Sequence, residues 1–116
     1  MRKLGLILAS LAFSTPAWAG QQDFVLVNQT GEEVSELYVS PVSTNDWEED
    51  VLGVKVLDDG DRIRIRFSDE TDHCHYDLKL VHSDGASAVW TDFNLCKVST
   101  IRVYYDRDGE PQAEYE

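Results

Sequence analysis

At 116 residues, with 42% apolar and 10% aromatic content, the chain can build one modest core and no more. Its 22 Asp and Glu against 10 Lys and Arg give a formal net charge of −12. A surface of that sign repels nucleic acid and anionic lipid and favours cations and basic partners, while the apolar content excludes a disordered acidic chain.

The N-terminus reads MRKLGLILASLAFSTPAWAG. Arg2 and Lys3 form a positive start, Leu4 to Phe13 a short apolar run, and Ala17 to Ala19 a small-residue cleavage site before Gly20. This is the pattern of a secretory signal peptide over residues 1–19, too short for a membrane span. No cysteine follows the apolar run, so a lipid anchor is not expected. The mature part, residues 20–116, is expected to be one β-sandwich domain, periplasmic or secreted. The leader takes two of the basic residues and none of the acids, which leaves eight against twenty-two and a net charge of −14. No later stretch is apolar enough to span a bilayer.

Short runs rich in β-branched and aromatic residues alternate with turn signals, the rhythm of an antiparallel sandwich of seven or eight strands. FVLVN is the first strand, ended by QTGEE. VSELYVS is the second, stopped by Pro41. In STNDWEEDVLG, Asn45 is placed to cap a helical turn, Glu48 to close a capping box and Gly53 to end it. One short helical segment is therefore expected, with Trp47 and Leu52 packed inward. VKVL offers a short strand and DDGD a turn. In RIRIRF, Ile63, Ile65 and Phe67 share one face and Arg62, Arg64 and Arg66 the other. CHYDLKLVHS and SAVWTDFNL flank a turn centred on Asp84-Gly85. VSTIRVYYD is a further strand, and QAEY offers a last one.

A two-residue turn at Asp84-Gly85 would set Tyr76 opposite Phe93, Leu78 opposite Thr91 and Leu80 opposite Val89, giving one largely apolar face. Cys74 would then face Leu95, one residue out of phase with Cys96. In an exported chain two cysteines read as one disulfide. A bond between Cys74 and Cys96 would staple the open end of this hairpin, given a bulge or a strand end nearby.

SDETDHCHYD raises the question of chemistry. If Cys74 is bonded, it is neither nucleophile nor metal ligand. His73 and His75 then lie on the opposite strand face with Asp77, which is a zinc or copper ligand pattern lacking a further donor. The competing reading is an exposed polar face with Asp77 paired to an arginine. Asp58, Asp59 and Asp61, and the acidic stretch Asn45 to Asp50, offer the hard oxygens that calcium prefers. The competing reading, which needs no ion, is turn chemistry for the first and helix capping for the second. Arg62, Arg64 and Arg66 are either an anion stripe or cross-strand partners for carboxylates. Trp47, Trp90, Tyr104 and Tyr105 are either a sugar-binding platform or core. No nucleophile elbow, metalloprotease helix or phosphate loop is present, and no cofactor is expected.

FVLVNQTG, LYVSP, DWEEDVLG, CHYDLKL and FNLC occur in this order over most of the chain beyond the leader. In this the chain resembles a family of small exported bacterial single-domain proteins of uncharacterised function. The resemblance implies an exported β-protein with a cysteine pair and carries no activity. The expected function is a non-catalytic binding or accessory module for a protein or small-molecule ligand. A divalent-metal or calcium-binding protein is the first alternative and a small carboxylate-dependent hydrolase the second.

Overall fold

The computed structural model describes residues 22–44, 46–47, 49–67 and 73–116. The leader and the cap residues Asn45 and Glu48 lie outside them. Seven strands form two sheets: β1 (Phe24–Asn28), β2 (Val34–Pro41), β3 (Arg62–Ile65), β4 (His75–His82), β5 (Ser87–Asn94), β6 (Thr100–Tyr105) and β7 (Pro111–Tyr115). One sheet runs β3-β1-β6-β7 and the other β2-β4-β5, in a sandwich-like arrangement. All pairs are antiparallel except β1 with β6.

Period-two burial builds the core. Phe24 and Leu26 of β1, Tyr76, Leu78 and Leu80 of β4, and Ile101 and Val103 of β6 all point inward and are buried. Each row has one further inward position at the same end of the sandwich. These are Asn28, His82 and Tyr105, so the apolar rows finish in polar residues.

Cys74 and Cys96 are bonded, 22 positions apart in sequence. Leu95 N–H donates to the Cys74 carbonyl at 2.8 Å, so the hairpin's open end has the expected register, as do Tyr76 and Phe93. Beyond Tyr76 the register shifts. Leu78 faces Trp90 and Leu80 faces Ala88, not Thr91 and Val89. The cause is a bulge at Thr91 and Asp92, where Asp92 takes a left-handed backbone at φ 62. It is steadied by Asp77, whose Oδ1 accepts from Asp92 N–H at 2.9 Å. At the other end, His82 N–H donates to the Ala86 carbonyl and Gly85 sits at φ 93, giving a three-residue loop instead of the expected two. The shift turns Trp90 into the core and leaves Val89 exposed.

Three other expectations are corrected. No helical segment forms among the described residues. Residues 51–54 make a turn, and Asp50 organises it by accepting from Leu37 N–H and Leu52 N–H. Val51 N–H then donates to the Leu37 carbonyl, so this segment lies along the outer edge of β2. An acid that can bind the neighbouring strand's N–H outcompetes the local helix. Leu52 is buried as expected, but Trp47 is half-buried at the surface, its ring centroid 6.5 Å from that of Tyr38. VKVL is not a strand. Only Leu57 bridges to Val34, and Val54 is fully exposed.

Candidate functional site: a cleft at the acidic end of the sandwich

The three polar ends of the inward rows hold their end of the sandwich together. Asn28 is fully buried. Its Nδ2 donates to the carbonyls of Glu32 and Leu57 at 2.9 and 3.0 Å. Its Oδ1 accepts from Thr30 N–H at 3.0 Å and Thr30 Oγ1 at 2.7 Å. One side chain thus ties β1, the β1–β2 loop and the approach to β3. His82, 2% exposed, lies 3.1 Å through Nδ1 from the Glu33 carbonyl and 2.7 Å through Nε2 from the Tyr105 hydroxyl. A carbonyl only accepts, so Nδ1 carries a proton; in the neutral ring Tyr105 then donates to Nε2. Burial, and then the nearby charges of Glu32 and Asp84, push the Tyr105 hydroxyl above its ordinary range.

Beside this pair lies a cleft of about 620 Å3, lined by Thr30, Glu32, His82, Ala88, Tyr105 and Pro111 among others. Its origin is in the sequence. Ala86, Ser87 and Ala88 on one side, and Gly109 and Pro111 on the other, are too small to fill the space between the two hairpins. Loops 29–33, 83–86 and 106–110 contribute to it, and loop 58–61 is tied to the first of them through Gly31 and Asn28. They carry Glu32, Glu33, Asp58, Asp59, Asp61, Asp84, Asp106, Asp108 and Glu110 against one Arg107.

The predicted calcium residues belong to this rim. Asp59 Oδ1 accepts from Gly31 N–H at 2.8 Å, and Gly60, at φ 90, donates its N–H to the Asn28 carbonyl at 2.6 Å. Asp58 shares a hydrogen bond with Glu33, which raises its pKa; burial and the charges of Glu33 and Asp61 push the same way. Asp61 contributes its backbone, accepting from Asn28 N–H.

The histidine pair lies at the opposite end. His75 and Asp77 converge on the bulge: His75 Nδ1 is 2.6 Å from Asp92 Oδ1, and Asp77 accepts from Asp92 N–H. His73 is exposed, and its carbonyl accepts from Gln22 Nε2 at 3.2 Å. Among the described residues no group of three or more His, Cys, Asp and Glu is arranged to hold a metal. Asp77 is not partnered with the arginine stripe, because β3 lies in the other sheet, at its edge beside β1. Arg62, Arg64 and Arg66 are exposed there.

The aromatic residues do not form one platform. Trp90 and Tyr105 stack inside with centroids 5.7 Å apart, and Trp90 Nε1 donates to the Gln112 carbonyl at 2.8 Å. Tyr104 points from the other face of β6, half-buried. Trp47 instead joins Tyr38 beside a hollow of about 310 Å3 that Asp77 also lines. Sequence reasoning missed Asn28, His82 and the cleft. The signal that would have found them is the inward period-two row carried one step past its last apolar residue.

No family model matches the chain, and no curated protein matches it. A solved NMR structure of a protein from Eubacterium rectale is similar, with a TM-score of 0.59 at 18% identity, over 80% of this chain and 85% of that one. At that identity the likeness is one of fold. No helix among the described residues is long and apolar enough to cross a membrane.

Proposed function

We propose that this protein is a small exported binding or accessory module without a catalytic role, and that its ligand seat is the cleft beside His82 and Tyr105. The observation that carries the reading is how the cleft's polar groups are used. Both His82 nitrogens are committed, one to the Glu33 carbonyl and one to Tyr105. A general base needs a nitrogen directed at substrate; this imidazole is a strut that keeps the cleft's shape. Small polar-rimmed concavities with a rigid apolar wall are the usual form of binding sites.

Export is supported by the leader pattern, by the resemblance to small exported bacterial proteins, and by the disulfide, which persists in oxidising compartments. The intact mass of chain recovered from outside the cytoplasm tests it: loss of residues 1–19 is expected, and an uncut chain would overturn it.

Binding is tested by filling the cleft. Ala88→Trp puts a large ring into the space while leaving the strand pairing intact. Wild-type protein incubated with periplasmic extract should show NMR perturbations confined to Thr30, Ala88, Tyr105 and Pro111, and the variant should show none. Equal perturbation in both would remove the cleft as the seat.

A cation-binding reading draws on one observation, the crowding of Asp58 against Glu33 and Asp61 that raises the Asp58 pKa. A divalent ion would relieve that repulsion. Calcium titration with Asp58→Asn as the control decides it, the variant being expected to lose whatever affinity the wild type shows.

A further inference from the structure

The two sheets have four outer strands, and the chain treats them differently. The edge of β2 is covered: Asp50 and Val51 hydrogen-bond to Leu37, and Leu57 bridges to Val34. The edge strand β3 carries Arg62 and Arg64 exposed, charges of the kind that keep a strand edge from pairing. The remaining two, β5 and β7, face each other, and among the described residues no strand pairing joins them. Side chains alone span the seam. Trp90 donates to the Gln112 carbonyl, and Phe93 meets Tyr115 edge-on at 5.8 Å.

A groove of about 290 Å3 follows this seam, lined by Val89, Thr91, Gln112, Ala113 and Tyr115 among others. Pro111 lines both this groove and the larger cleft, so the two adjoin at that residue. The cleft opens at the acidic end, among loops 29–33, 83–86 and 106–110, which carry six carboxylates and one arginine, and the groove beside it lies between two sheet edges. Val89 and Tyr115 leave apolar surface exposed along it.

We propose that the adjoining cleft and seam receive an extended segment of a partner protein, with lysine or arginine side chains seated at the acidic end. The inference rests on the binding reading above and names its partner class. A sheet edge offers backbone hydrogen bonds to any extended chain, and flanking pockets select side chains. At about 3.3 Å per residue, the five residues of β7 match a segment of about five residues. Charge supplies the direction. A basic end is drawn to the rim at Glu32 and Glu110, and an acidic one is repelled.

The test uses the processed, disulfide-bonded chain and three capped five-residue peptides: alternating valine and lysine, the same with glutamate for lysine, and a lysine peptide of equal charge with proline for valine. The expected result is that the first peptide shifts the Trp90 indole N–H and the amides of Val89, Gln112 and Ala113. Its affinity should fall on the order of tenfold in Glu32→Gln/Glu110→Gln, as for loss of steering and pairing charges. If the glutamate peptide binds the seam equally well, the charge assignment is wrong and the binding module stands. If the proline peptide binds as tightly as the first, the effect is adsorption to an acidic surface and the seam is not the site. If no peptide moves a seam resonance, the inference is overturned. The Ala88→Trp comparison with extract then decides separately whether the cleft binds anything.

Discussion

The two ends of this sandwich are closed by different chemistry. At one end a covalent bond between Cys74 and Cys96 joins the strands of a hairpin, reinforced by a bulge in which Asp77 holds the Asp92 backbone. At the other, hydrogen bonds made by Asn28 and His82, and one that Asp59 accepts from Gly31, tie loops 29–33 and 58–61 to β4 and β6 beside a cleft. A disulfide limits the unfolded chain and asks little of its neighbours. A buried polar hub works only if all its partners arrive together, and it leaves a defined cavity rim when they do. The stapled end can thus be crowded with unrelated polar residues, whereas the hydrogen-bonded end is constrained residue by residue. That is a reason to look for function at the second.

The comparison can be broken first at the staple. Cys74→Ala with Cys96→Ala frees the 22-residue separation and should cost about 3 kcal/mol on the chain-entropy model. Urea unfolding measures it, and the cleft resonances should be unmoved in the folded double variant. Loss of cleft structure would mean that the two ends are not independent.

Asn28→Ala strikes the other end. It strands the Leu57 and Glu32 carbonyls and the Thr30 N–H at once, of which only the first is deep. An unsatisfied buried group costs about 1–3 kcal/mol, so a loss of about 2–3 kcal/mol is expected, close to that of the disulfide. Hydrogen exchange should show loops 29–33 and 58–61 opening together. A loss confined to one loop would show that Asn28 is a local turn residue and not a hub.

Tyr105→Phe is subtler. It removes the partner of His82 Nε2 and keeps the ring that stacks on Trp90. A cost of about 1 kcal/mol is expected, the value of one net hydrogen bond. The His82 ring should gain freedom in NMR while the Trp90 indole stays bonded to Gln112.

These residues also show what the sequence carried and what it did not. The strands of Phe24–Asn28, His75–His82 and Thr100–Tyr105 were legible because alternation is a local signal. The disulfide was legible because two cysteines behind an export-leader pattern allow one pairing. The helical turn at Asn45–Gly53 was misread because Asp50 finds its partner in Leu37, thirteen residues away. The hairpin register differs from expectation next to the turn because the loop holds three residues, with Gly85 left-handed; the left-handed Asp92, which has no mark in sequence, then restores the expected pairing at Tyr76. His82 was hidden for a similar reason: its partners Glu33 and Tyr105 are 49 and 23 positions distant. Read locally, VHSDG is a polar turn; only the assembled sheets bring these three groups together, with His82 and Tyr105 on the wall of the cleft.

The smallest effects expected come from two acids of the same rim that respond to pH with opposite signs. Asp106 is held below the ordinary carboxylate value, first by the Glu110 backbone N–H and further by Gln112 and the Asp108 and Gly109 backbone. A depressed folded pKa means stability that is fully present above the unfolded value of about 3.8 and lost as pH falls through the lower folded one. Asp58 is held above that value, chiefly by its hydrogen bond to Glu33. A raised carboxyl pKa means that the folded state binds its proton more tightly, so the ionised group costs stability at neutral pH. That cost is relieved as pH falls through the raised folded value toward 3.8. Asp58→Asn should therefore raise the neutral-pH Tm slightly, since an amide can donate to Glu33 without a shared proton, and should flatten the curve above 3.8. Asp106→Asn should lower the neutral-pH Tm and flatten the curve below it. Thermal melts from pH 2.5 to 7 at low salt separate the two. If both substitutions move Tm in the same direction at pH 7, the rim is a uniform field of charge, and the distinction between a turn-forming acid and a crowded one fails.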